Sequence, residues 1–256
     1  MPQEISIHGI CHECKTPILD DHRYCYNCGN FLGADTVTIN VFNNYDLRQL
    51  FYFYFFYLII CLVVKHNTWF SSYDQLFWVE LALAAITIRF AWLNKAAIKP
   101  VLKFNNFKWY RLSGVVLIAA VGSFFVSYSV RELNVTFFRT QISYYSAYKL
   151  YTYPTLVMVY SIAIMPAVFE EVAFRGVMYN YCSNFLDEKL VVAVTAFLFA
   201  TMHLSLISLV WLIPFGFFIG NLRRRYHTLW YGFVFHFTFN LTACVFDLYK
   251  EGLLFS

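Results

Sequence analysis

Residues 155–182 read TLVMVYSIAIMPAVFEEVAFRGVMYNYC. This run exceeds the ~20 apolar residues that a helix needs to cross a bilayer, yet its middle holds Glu170, Glu171 and Arg175. A charge at the centre of a bilayer costs at least about 2.5 kcal/mol, so charged residues kept there are candidates for a function. The run therefore predicts a transmembrane helix that carries part of a functional site.

The rest of the chain has the composition of a membrane protein. Of its 256 residues, 60% are hydrophobic and only 13% are charged, which is not typical of soluble proteins. Because lipid offers backbone amides no hydrogen-bond partner, each long apolar run should be a helix. We predict an all-α polytopic membrane protein with about seven transmembrane helices, over residues 47–64, 76–93, 112–130, 155–182, 190–209, 210–222 and 228–246.

The loop cations predict the orientation. Cytosolic loops carry an excess of Lys and Arg, and cations crowd the second, fourth and sixth loops, although the third loop also has some. We therefore expect a cytosolic N-terminus. We also expect an integral protein of a prokaryotic plasma membrane. The cations counted are Lys95, Lys99, Lys103, Lys108, Arg111, Lys189, Arg223, Arg224 and Arg225.

A separate module precedes the apolar runs. We divide the chain into a zinc ribbon at 1–34, a linker at 35–46 and a helical membrane domain at 47–256. The ribbon rests on two Cys-x-x-Cys pairs with ten residues between them, which suit a tetrahedral structural zinc. Such a small fragment depends on the metal for its folding free energy. The four ligands are Cys11, Cys14, Cys25 and Cys28.

Two alternatives to this ligand set stay open. The four cysteines could form two disulfides, although that needs an oxidising compartment. His12 or His22 could also replace one cysteine as a ligand.

Ionisable and amide side chains are concentrated in the last four predicted spans. The ionisable residues of the first three predicted spans are Glu80 and Arg89. Both lie near span ends, where snorkelling to the interface is expected. In the later spans, spacings of four residues put side chains on shared helix faces, and loop positions put Glu170 and His203 at one depth. The alternative is that these groups only hold helices together. The candidate site consists of Glu170, Glu171, Arg175, His203, His236 and Asn240.

Three sequence motifs in the last four predicted spans, and their order along the chain, resemble those of the CAAX-protease and bacteriocin-processing family of intramembrane peptidases. The similar stretch covers roughly residues 155 to 244. The resemblance implies an all-helical membrane endopeptidase with a cavity open to the cytosol. Its motifs are Glu170-Glu171-x-x-x-Arg175 followed by Gly176, Phe199-x-x-x-His203, and His236-x-x-x-Asn240.

The resemblance also implies roles for the site residues. Glu170 would act as general base on a water molecule, with His203 sharing that activation. His236 and Asn240 would stabilise the oxyanion, while Glu171 and Arg175 would fix the helix geometry. A second zinc at Glu170, His203 and His236 stays open, although the chain lacks the His-Glu-x-x-His pattern of many zinc peptidases.

The expected partners are a membrane-associated peptide or protein substrate, the lipid bilayer and a protein that binds the ribbon. Nucleic acid is not expected, because no basic stripe with interleaved aromatic residues is present. The alternative function is a non-proteolytic immunity or scaffold protein that keeps the motifs for packing. A transporter is a third possibility, because intramembrane carboxylates also relay protons.

Overall fold

The computed structural model describes residues 9–11, 13–18, 24–30, 42–70, 72–104, 107–139 and 143–254. The chain divides into two compact units, Met1–Tyr45 and Asp46–Ser256. His12 and His22, and most of the predicted linker at 35–46, lie outside the described residues.

The first unit contains two similar knuckles. A two-residue strand, β1 (Gly9–Ile10), pairs antiparallel with β2 (Pro17–Ile18). In the first knuckle the Cys11 N–H donates to the Thr16 carbonyl at 2.9 Å, and in the second the Cys25 N–H donates to the Asn30 carbonyl at 2.8 Å. The turn of the second knuckle passes through Gly29 at φ 72°, a left-handed conformation that glycine adopts without steric cost.

The second unit is helical in its described part. Its main helices are α1 (Tyr45–His66), α2 (Tyr73–Leu93), α3 (Lys95–Val101), α4 (Trp109–Leu133), α5 (Pro154–Ser183), α6 (Glu188–Met202), α7 (Leu209–Tyr226) and α8 (Trp230–Lys250). A π turn (Asn134–Phe138) follows α4, and a short 3₁₀ helix (Tyr145–Ala147) precedes α5.

Four of these helices are long and apolar enough to cross a membrane, among the residues described: α1, α2, α4 with its π turn, and α5. A helix lies over each of the seven predicted stretches, but seven membrane spans remain a prediction.

The fifth predicted span differs most from the structure. The prediction ran to residue 209, whereas α6 ends at Met202 and the chain turns before α7. Leu204 makes the turn possible with a left-handed φ of 52°, and the hydroxyls of Ser205 and Ser208 are hydrogen-bonded at 2.9 Å. With 15 residues, α6 is about 22 Å long, which is shorter than the ~30 Å hydrocarbon layer.

Helix α5 is not a regular α-helix. It contains two π segments, Tyr160–Ile164 and Val172–Met178, and π turns inside α-helices are often found at functional sites. Between them, Pro166 lacks an N–H and cannot bond the Ile162 carbonyl four residues earlier. The candidate residues of α5 thus follow a stretch of altered helix geometry, and α6, α7 and α8 pack around it.

Candidate functional site

Glu171 forms the buried centre of the site. Its side chain is 0% exposed, and its Oε1 accepts hydrogen bonds from Arg175 Nη1 and from His236 Nδ1, each at 3.0 Å. The Glu171–Arg175 pair follows the four-residue spacing of the sequence. The hydrogen bond to His236 Nδ1 joins α5 to α8 and leaves Nε2 as the ring nitrogen that points away from Glu171.

The partners of Arg175 offset part of the cost of its complete burial, although its Nε has no hydrogen-bond partner among the residues described. Its Nη2 donates to the Gly216 carbonyl at 3.4 Å, and its guanidinium carbon lies 4.4 Å from the centroid of the Phe199 ring. The residue is 0% exposed. An ion pair and a cation–π contact together stabilise a charge that would otherwise be costly to bury.

Gly232 lets α8 approach the Glu171 carboxylate. A Cβ atom at this position would lie 2.9 Å from Glu171 Oε2 and 3.0 Å from Ile219 Cγ2. Both distances are below normal packing contacts, so a larger residue would displace the carboxylate that holds His236.

Glu170 points in another direction from the same helix, as expected for adjacent helical residues. Its side chain is 26% exposed, and its Oε2 lies 3.9 Å from His236 Nε2. That oxygen is buried and has no hydrogen-bond partner in the described part of the chain. The gap is too long for a direct hydrogen bond but suits one bridging oxygen atom.

His236 therefore lies between the two glutamates. It is 3% exposed, and the rings of Phe199 and Phe215 meet its ring edge to face, with centroids 6.0 and 5.0 Å away. Aromatic walls lower the local dielectric, which strengthens the interactions between charges in the site.

His203 follows the last residue of α6 and is exposed. Its Nδ1 lies 3.0 Å from the Phe199 carbonyl oxygen, so the proton belongs on Nδ1 and Nε2 is left as an acceptor. Although both residues are in the described part of the chain, no ion pair forms between His203 and Glu170. The ring of Phe199 packs against both His203 and His236.

Asn240 has a partner that the sequence analysis did not find. Its Nδ2 donates to the Ile162 carbonyl at 2.8 Å, the same carbonyl that Pro166 cannot bond. The available signal in the sequence was Pro166, which cannot donate to the carbonyl four residues before it. The sequence did not show which helix would supply another donor to that carbonyl.

The second zinc that the sequence left open at Glu170, His203 and His236 is not supported by the described residues of the membrane site. In the described ranges, the one group of three or more potential ligands that converge is the cysteine cluster. At the membrane site, Glu171 Oε1 already accepts hydrogen bonds from His236 Nδ1 and Arg175 Nη1. Both His203 and Glu170 are described, and no ion pair joins them.

The four cysteines of the first unit do fit a metal ion. All four sulfur atoms lie within 4.8 Å of one another, with 3.7 Å between Cys11 and Cys28 and 3.4 Å between Cys14 and Cys25. Ligands 2.3 Å from a tetrahedral zinc would be about 3.8 Å apart. All four are free thiols, so the disulfide alternative is not what the structure contains.

One cysteine is already suited to bind as a thiolate. Hydrogen bonds from the Thr16 side chain and backbone lower the pKa of the Cys14 thiol to about 5. Burial and the neighbouring cysteines instead raise the pKa of the Cys28 thiol to about 12, so metal binding would have to displace the proton of that thiol.

Comparison with known proteins points to the same part of the membrane unit. Residues 152–242 match a family model described as type II CAAX prenyl endopeptidase Rce1-like. The match contains all six candidate residues of the membrane site. Searches of curated proteins and of solved structures found no match. The apolar helices and the family match together indicate a membrane protein, in which residues 152–242 are similar to the CAAX prenyl endopeptidase family.

Proposed function

We propose that this protein is an intramembrane endopeptidase in which Glu170 activates a water molecule to attack a peptide bond. One observation carries the proposal: Glu170 Oε2 is buried 3.9 Å from His236 Nε2 and has no hydrogen-bond partner among the residues that the structure describes. A bare carboxylate oxygen facing an imidazole nitrogen leaves a place for one reacting oxygen atom. The prenylated C-terminal peptide named by the family model is the first substrate class to test.

The chemistry follows from the positions of the donors and acceptors. Glu170 takes one proton from water, and the water oxygen forms a bond to the substrate carbonyl carbon. His203 Nε2, the acceptor left free by the Phe199 carbonyl, shares the positioning of that water. Collapse of the tetrahedral intermediate breaks the carbon–nitrogen bond, and Glu170 returns its proton to the leaving amine.

The oxyanion of the intermediate needs hydrogen-bond donors. His236 would be one of them, because its Nδ1 is held by Glu171 Oε1 at 3.0 Å and its Nε2 lies 3.9 Å from Glu170 Oε2. Glu171 would accept a hydrogen bond from His236 Nδ1, and His236 Nε2–H would donate to the oxyanion of the intermediate. Asn240 has a second amide hydrogen beyond its bond to Ile162 and would be the other donor.

We further propose that the cysteine cluster holds a structural zinc ion, for which four thiolates are a typical ligand set. The loop cations support a cytosolic N-terminus, and the ribbon would then bind a protein partner in the cytosol. The prokaryotic plasma membrane is a separate proposal that rests on the N-terminal ribbon.

The experiment compares the purified full-length protein with its Glu170→Gln variant for cleavage of a farnesylated CAAX peptide in detergent. Loss of the base should lower kcat by about 10²–10⁴-fold, with little change in thermal stability. Glu132→Gln is the matched control, because it removes an exposed carboxylate from the end of α4 and should leave cleavage unchanged. Full cleavage by Glu170→Gln would rule out Glu170 as the base.

The alternative, a non-proteolytic immunity or scaffold protein, predicts the opposite pattern. The wild-type protein would then cleave no peptide, and Glu170→Gln would change stability through helix packing alone.

A further inference from the structure

A cavity separate from the candidate site lies between the N-terminal ends of α2 and α5. Its volume is about 370 Å³, and none of the six candidate residues lines it. Four of the lining side chains are aromatic and the other two are aliphatic. The lining residues are Tyr73, Phe77, Tyr153, Leu156, Val157 and Tyr160.

A carboxylate lies on the same helix face as the α2 wall of this cavity. Glu80 follows Tyr73 by seven residues and Phe77 by three, which places all three on one side of α2. Glu80 is half-buried, and the Tyr73 hydroxyl donates to its Oε2 at 3.5 Å.

Glu80 has no cationic partner in the part of the chain that the structure describes. It lies within the candidate span Tyr73–Leu93, where an unpaired ionisable residue is a functional candidate by default. Its charge also reaches the loop before α5: burial, and after it the Glu80 carboxylate, raise the pKa of Tyr148 to about 12.

Four aromatic rings line the cavity, and one of them, Tyr73, links it to the Glu80 carboxylate, which is a suitable arrangement for binding an organic cation. The faces of Tyr and Phe rings attract ammonium groups, and desolvation strengthens that attraction. A quaternary ammonium group suits this cavity better than a metal ion, because one carboxylate and three tyrosine hydroxyls offer few hard ligands.

The location of the cavity favours a lipid as the source of this cation. Two candidate spans, Tyr73–Leu93 and Pro154–Ser183, both begin at the cavity, so its mouth lies at the depth of lipid headgroups. Tyr153 and Leu156, on the α5 side, are each 68% exposed, which leaves the mouth open sideways. We propose that this cavity binds the alkylammonium headgroup of a zwitterionic phospholipid, with Glu80 as the counter-ion.

Native mass spectrometry of the full-length protein in maltoside micelles tests this site. Phosphatidylcholine and phosphatidylglycerol of equal chain length are titrated separately, and only the first carries an ammonium group. The wild-type protein should bind phosphatidylcholine more tightly, and Glu80→Gln should weaken that binding about tenfold. Glu132→Gln, an exposed carboxylate outside the cavity, is the control and should bind as the wild type does.

Phe77→Leu provides a second variant that keeps the charge and removes one ring, and it should also weaken phosphatidylcholine binding. The proposal is overturned if the wild-type protein binds both lipids equally. It is also overturned if every folded cavity variant binds phosphatidylcholine as tightly as the wild type. Displacement of the lipid by a lysine-containing peptide, in the wild type but not in Glu80→Gln, would assign the site to a peptide and overturn the lipid assignment.

Discussion

Substitution of Gly232 by alanine tests whether Glu171 must be held against His236. The added methyl group would lie 2.9 Å from Glu171 Oε2 and 3.0 Å from Ile219 Cγ2, so α8 or the carboxylate must move by several tenths of an ångström. Overpacking of this kind typically costs about 1–3 kcal/mol of stability. Displacement of the carboxylate also breaks the 3.0 Å bond to His236 Nδ1. The oxyanion donor is then misplaced, and we expect kcat to fall about 10²-fold or more.

The assay combines thermal unfolding in detergent with steady-state cleavage of the farnesylated peptide. Gly114→Ala is the matched control, because a Cβ at Gly114 meets nothing within 4 Å. That change should leave cleavage intact and stabilise α4 by about 0.5–1 kcal/mol. If Gly232→Ala behaves like Gly114→Ala in both measurements, the close packing of Glu171 against α8 is not needed for activity.

Three further predictions concern single side chains. Asn240→Ala leaves the Ile162 carbonyl without the Asn240 donor and should lower the free energy of unfolding, measured by chemical denaturation, by about 1–3 kcal/mol. Equal stability of the variant and the wild type would contradict this prediction. Phe199→Leu removes the ring that packs on the Arg175 guanidinium at 4.4 Å and should cost about 1–2 kcal/mol in the same measurement, whereas a neutral effect would show that the contact contributes nothing. Cys28→Ser removes one of four thiolate ligands and should abolish the bound metal seen by elemental analysis, so retention of a full equivalent would disprove the four-cysteine site.

Local spacing predicted part of the site correctly. The Glu171–Arg175 pair depends only on helical periodicity, so it could be read from the sequence. The Cys-x-x-Cys pairs likewise predicted a cluster that the structure brings within metal-binding distance.

Contacts between distant residues could not be predicted in this way. The bond from His236 to Glu171 joins residues 65 positions apart, and its existence depends on how α8 packs on α5. The role of Asn240 at the Pro166 gap depends on the same packing. The short α6 was missed because Leu204, Leu206 and Ile207 continue the apolar pattern through a turn, and hydropathy alone does not detect a turn made of apolar residues.

The central claim is that Glu170 acts on water as a base and does not itself attack the peptide bond. A single turnover of the wild-type protein in H₂¹⁸O distinguishes these two reactions by mass spectrometry. We predict that the heavy oxygen appears at once in the new carboxylate of the peptide product and not in the tryptic fragment that contains Glu170. Heavy oxygen in Glu170, with an unlabelled product from that first turnover, would contradict the account.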